Sequence, residues 1–159
     1  MVSNLADFEG IVRRARLHTE GETAGAANTH PFELRNIHSD LVRLVRKLFD
    51  DGHFTHATFD AYKYIDEEIQ RISGMTDFGK SLMMTAFNEK GPAVKLNPLV
   101  TKSEINEQEG FKYIFAGTAL AIRNPRGHST TIRDDPDTCL DHLSVASLML
   151  RRLDEAGLR

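Results

Sequence analysis

Helical periodicity runs through almost the whole chain, and it constrains the fold more than any other feature. In the last quarter, Leu140, Leu143, Ala146/Ser147, Leu150 and Leu153 recur every three to four residues, the spacing of one face of an α-helix. The same spacing holds for Leu41, Leu44/Val45 and Leu48, and for Ala57/Thr58, Tyr62, Ile65, Ile69 and Ile72. No stretch keeps the strict alternation of a half-buried strand, so the expected class is all-α, a bundle of four to five helices.

Punctuation sets the boundaries. Leu5, Phe8, Ile11/Val12 and Ala15 predict a first helix over 4–17, and the apolar-poor "HTEGETAGAANTHPFELR" (18–35) reads as a linker or arm. The expected division is therefore an N-terminal helix and flexible linker over 1–35 and a helical bundle over 36–159. Asn36 or Ser39 would cap the second helix; Gly52 and Gly74 would stop the second and third. Asp77 would cap a short helix carrying Leu82, Met83, Ala86 and Phe87. "NEKGPAVKLNPL" reads as a loop. The next helix would open at Ser103, with Glu104, Glu107 and Glu109 favourably placed against its dipole. Its expected core face is Phe111, Ile114/Phe115, Thr118/Ala119 and Ile122. The last helix would begin near Pro136-Asp137.

With 159 residues the chain can bury a core without staples, and its single cysteine excludes an internal disulfide framework. Cys139 sits on an apolar helix start and is expected to be buried and inert. No apolar run reaches the ~20 residues of a membrane span, and "MVSNLADFEG" lacks the basic and apolar regions of a signal peptide. A cytoplasmic location without membrane attachment is expected. The net charge of −3 argues against broad attraction to nucleic acid and leaves only local basic clusters, such as Arg123, Arg126 and Arg133.

"AIRNPRGH" (121–128) is the stretch that invites chemistry. Three pairs in the chain have an Arg followed by a His after four to six residues: Arg13 with His18, Arg46 with His53, and Arg123 with His128. The spacing alone selects nothing. Arg13 and His18 border the linker, and Asp50-Asp51 between the second pair would repel a phosphate. Arg123 instead closes a long apolar helix, and Pro125 disfavours helical backbone at Asn124. A turn there would bring together two side chains that an unbroken helix would hold about 140° apart, with Gly127 easing the return of His128. Arg123 would bind and stabilise a phosphorane, His128 would serve as general acid/base, and Asn124 would position them. Arg126 and Arg133 are candidates for flanking phosphates. A plain polar loop between two helices is the competing reading of the same residues.

Glu104, Glu107 and Glu109 with Asp134, Asp135 and Asp137 read as solvated helix starts rather than a two-metal centre. His53 and His56 share a helical face but have no third ligand nearby, so no metal and no cofactor is expected. Met83-Met84 and Met149 read as packing.

"RNPRGH" resembles the motif of the HEPN superfamily, small α-helical domains that act on nucleic acid. Its ribonuclease members carry Arg, four to six residues, then His, commonly with a polar residue directly after the Arg. The segments "LFDDGHFTHATFDAYKYIDEEI", "NEQEGFKYIFAGTALAIRNPRGH" and "DDPDTCLDHLSVASLMLRRLDEA" are similar in order and spacing to the Ymh-like branch among phage-resistance and abortive-infection proteins. The resemblance covers about residues 36–156. It implies a homodimer built around the Arg-His loops that cleaves RNA without metal, leaving a 2′,3′-cyclic phosphate and a 5′-hydroxyl. It also implies a toxin or antiviral role with an antitoxin or defence-system partner, or a catalytically silent, partner-gated module that binds RNA or protein. Some relatives carry a Tyr two residues after the His, which an antitoxin modifies. Thr130 stands there in this chain, which speaks against that form of control.

Overall fold

The computed structural model describes residues 29–129 and 131–159. The expected helix over 4–17 and most of the expected linker lie outside them. The unit Pro31–Arg159 is all-helical, with no strand among the described residues. Its elements are α1 (Pro31–Leu34), α2 (Ser39–Asp50), α3 (Phe54–Ser73), α4 (Gly79–Ala86), α5 (Lys102–Thr118), a π-helical turn (Ala119–Arg123), α6 (Asn124–His128) and α7 (Pro136–Glu155).

The core explains the order. α2 turns Leu41, Val45 and Phe49 inward at four-residue spacing, and α3 buries Ala57, Ala61, Tyr62, Ile65 and Ile69. α3 spans about 30 Å and packs on α2, α4, α7, α6 and the π turn. The left-handed glycines Gly52 (φ 78°) and Gly74 (φ 71°) stop α2 and α3 as expected. α7 buries Leu140, Leu143, Ala146, Leu150 and Leu153, the face read from the sequence. The Phe87 and Phe115 rings stack at 4.6 Å between the α4 end and α5.

Several local expectations are corrected. Residues 31–34 are helical rather than linker, because Phe32 is buried and its ring lies 4.9 Å from that of Phe49. His38, not Asn36 or Ser39, caps α2: its ring nitrogen accepts the Asp40 N–H at 3.1 Å. Phe78 precedes α4 at the cap position assigned to Asp77. α5 opens at Lys102, capped by Thr101 two residues before Ser103, with Thr101 and Glu104 forming a reciprocal capping box.

The buried face of α5 keeps Phe115 and Ala119 as expected, with Phe111 and Ile122 packed partly buried against the core, but it is wider than the apolar stripe. It carries Gln108, Lys112, Phe115, Ala116 and, in the π turn, Ala119, while Ile114 is exposed. Polar atoms explain why. Gln108 accepts the Leu96 N–H at 3.0 Å and donates to the Val94 carbonyl at 2.8 Å, fastening the 88–101 loop. Lys112 reaches Glu89 at 2.9 Å. Two polar side chains with satisfied partners are thus buried beside the apolar residues, positions that hydrophobicity alone would not assign to the core.

Candidate functional site

The helix does not break at Pro125. Asn124 is right-handed helical (φ −62°, ψ −44°), and its N–H bonds to the Ala119 carbonyl five residues back. Proline at position i collides with the carbonyl at i−4 and offers it no N–H. Widening the preceding turn to π geometry lets the chain pass Pro125 and continue as α6. The expected reversal, with Arg123 and His128 folded back upon each other, is therefore corrected: they lie on successive turns of one bulged helix.

Gly127 has another function than the one expected. A Cβ there would stand 2.8 Å from Cε2 of Phe59. The glycine lets α6 lie directly on the Phe59 ring of α3, which fixes where His128 emerges.

Arg123 sits on the inner side of this contact, 19% exposed. Its guanidinium lies 5.7 Å from the centre of the Phe59 ring and 5.9 Å from that of Phe78. Nη1 donates to Asn124 Oδ1 at 3.0 Å. Nε faces Asp66 Oδ2 at 3.7 Å, too far for a hydrogen bond, and is buried without a partner. Asp66 accepts the Gly79 N–H at 3.1 Å. Burial pushes its pKa up, against the Gly79 bond and the Arg123 charge, which pull it down. Sequence reading missed Asp66. The available signal was a carboxylate on the apolar stripe of α3, one turn after Tyr62 and beside Ile65.

Arg126 is taken up by the fold. Nε and Nη2 donate to the two oxygens of Asp134 at 2.7 and 2.5 Å, with side chains only 8% and 3% exposed. Nη1 donates to the Ile122 carbonyl at 2.8 Å. Its expected role on a flanking phosphate is thereby replaced by a clamp between α6 and the segment before α7. Burial would raise the Asp134 pKa, but the Arg126 hydrogen bonds and charge overcome it and hold the carboxyl below its usual range. The Asp134 N–H donates to Thr55 Oγ1 at 2.9 Å, tying the same segment to the start of α3. His142, 3.4 Å from Arg126, has its pKa lowered by burial and then by that charge. Cys139 is buried, and burial pushes its thiol up to about 11, as an inert core residue requires.

His128 faces the outer side. It lines a cleft of about 660 Å³ with His53, His56, Phe59, Arg133 and the Arg126–Asp134 pair. Arg123 and Asn124 do not line it. Phe59 separates the two groups: one part of its surroundings is the Arg123 guanidinium, another is Gly127 and the cleft. The sequence placed His53 and His56 together but gave no third histidine beside them. The tertiary fold adds His128 to the cleft.

Among the described residues, no three His, Cys, Asp or Glu side chains are grouped to hold a metal ion. The acidic residues considered for a two-metal centre are dispersed. Glu104 closes the α5 capping box, Glu107 meets Arg152 at 3.1 Å, Asp134 pairs with Arg126, and Asp135 caps α7. No helix among the described residues is long and apolar enough to cross a membrane.

Residues 35–153 match the model of a family described as a protein of unknown function (Hypoth_ymh). No curated protein and no solved structure matches the chain.

Proposed function

The chain belongs to the Hypoth_ymh family, and on that footing we propose that it is a metal-independent endoribonuclease of the HEPN type, acting as a toxin or antiviral defence effector. The observation that carries this reading is the placing of His128 on a histidine- and arginine-lined cleft, one turn beyond Arg123-Asn124 on a π-bulged helix. π turns recur at functional sites because they displace side chains from the regular helical register. Cleavage by the ribose 2′-hydroxyl needs a base, an acid and positive charge on the phosphorane, and imidazole and guanidinium supply those at neutral pH. A homodimer with two such loops facing each other would bring a second histidine and arginine to the same phosphate.

Arg123 favours a second version of this reading. Its guanidinium lies close to two rings and is bonded to Asn124, with Asp66 behind it. A guanidinium held in this way meets a phosphate only after Phe78, which is largely exposed, swings aside. That describes an enzyme gated by a partner or by RNA itself.

The test uses the purified full chain and a labelled mixed RNA in EDTA, with His128→Ala as comparison. Cyclic-phosphate ends from the wild type alone support the reading. Equal cleavage by both proteins overturns the site, and no cleavage by either leaves the silent, partner-binding module.

A further inference from the structure

Cleaving a phosphodiester through its 2′-hydroxyl moves two protons, and "RNPRGH" supplies one imidazole per chain. The cleft holds more than that stretch provides. His56, in the first turn of α3, lines the same cavity as His128. Resting on the ribonuclease reading above, and in place of a second histidine from a facing copy, we propose that His56 is the second proton-transfer group, acting in cis with His128 on an RNA phosphodiester seated in this cleft.

Two observations carry the assignment. His56 and Phe59 are three residues apart on α3 and share a face. The Phe59 ring bears directly on Gly127, the neighbour of His128, so one contact sets the position of α3's first turn relative to the end of α6. The two histidines thus come from different elements and line one cleft, the arrangement that a separate acid and base for one phosphodiester call for.

The electrostatics of the cavity suit a phosphate. α3 has no acidic residue in its first turn, and its N-cap His53 makes no side-chain cap bond, so first-turn N–H groups stay available beside the cavity. Arg133 adds charge at the lining. The one carboxylate lining it, Asp134, is neutralised by Arg126, and the nearby Asp51, whose charge acts on His53, is paired with Lys47 at 2.6 Å. His53 also lines the cleft, its ring 6.0 Å from that of His56. It lies a further turn from Phe59 along α3, which favours His56, the residue that shares the Phe59 face.

The step balances without metal or redox partner. One imidazole takes the 2′-hydroxyl proton, and the 2′-oxygen bonds to phosphorus. The bond from phosphorus to the 5′-oxygen breaks, and the other, protonated imidazole gives its proton to that oxygen. The products are a 2′,3′-cyclic phosphate and a 5′-hydroxyl. The histidines end with exchanged protonation states, reset through solvent.

His56 is exposed, so His56→Ala should fold with an unchanged melting temperature. In EDTA it should cleave at least about 100-fold more slowly than wild type, lose one limb of the rate profile between pH 5 and 9, and still bind RNA carrying 2′-deoxyribose at the cut position. Mixing His56→Ala with His128→Ala should restore nothing, since every chain lacks one member of the pair. Cleavage at wild-type rate by His56→Ala, or lost binding with an unchanged pH profile, overturns the proton-transfer role. Recovery in the mixture overturns action in cis and returns the second histidine to a partner copy. Cleavage lost with His53→Ala but kept with His56→Ala overturns the choice of residue. Absence of cleavage by the wild type overturns autonomous ribonuclease activity, on which this assignment rests, and leaves the partner-gated or silent module, an outcome distinct from the others.

Discussion

Replacing Asp134 by Asn should destabilise the protein by about 3 kcal/mol, the lower end of what removing one partner of a buried ion pair costs. The geometry supports that magnitude. Arg126 and Asp134 are 8% and 3% exposed and joined by two hydrogen bonds of 2.7 and 2.5 Å. Asn retains the shape and one acceptor, so no cavity forms, but the Arg126 charge loses its counter-ion in a site that water barely reaches. For a chain of this size, about 3 kcal/mol corresponds to a fall in Tm of roughly 6–12 °C. The pH dependence follows from the lowered Asp134 pKa. A carboxyl whose folded pKa lies below its unfolded value contributes stability above the unfolded value and loses it as pH falls through the folded one. The Tm gap between wild type and Asp134→Asn should thus be constant near neutrality and close only below the ordinary aspartate range, under about pH 4. Thermal melts by circular dichroism from pH 3 to 8 would read both effects. Arg126→Met combined with Asp134→Leu should recover much of the loss, since apolar replacements of buried pairs are often neutral. A drop of less than about 3 °C at pH 7, or a gap that closes above pH 5, would refute the account of this pair as a buried clamp.

Two further perturbations address the site. Gly127→Ala would drive a methyl group to 2.8 Å from Phe59; a loss of about 1–3 kcal/mol is expected by thermal melting, and Phe59→Leu in the same chain should return part of it. Asp66→Asn keeps an acceptor for the Gly79 N–H while removing a buried charge that the fold disfavours. Its Tm at pH 7 should exceed that of the wild type, and the difference should shrink as pH falls through the raised folded pKa of Asp66 and the wild-type group takes up its proton; a lower Tm at pH 7 would show that the Arg123 pairing outweighs the burial cost.

Much of the bundle was legible because its signals are local. The stops at Gly52 and Gly74 follow from backbone freedom at φ of 78° and 71°, and the α7 stripe follows from spacing alone. The α5 face was read only in part because Gln108 and Lys112 look like surface residues until their partners at Leu96, Val94 and Glu89 are known. In the candidate site, Arg123, Asn124 and His128 stood out by type and order. Their arrangement did not, because a proline in a helix has two outcomes, a break or a widened turn, and packing on α3 selects between them.

By itself, then, the sequence determined the helical class, the ends of α2 and α3, the inward face of α7 and the choice of one candidate stretch, since each depends on residues within a turn or two of one another. Only the tertiary structure decided that Arg126 closes on Asp134 instead of facing a ligand, that Gly127 exists to receive the Phe59 ring, and that His56 and His128 share a cleft. Those outcomes rest on contacts between residues far apart in the chain. No local propensity encodes such contacts, because their energies arise only when α3, α6 and the segment before α7 exclude water together.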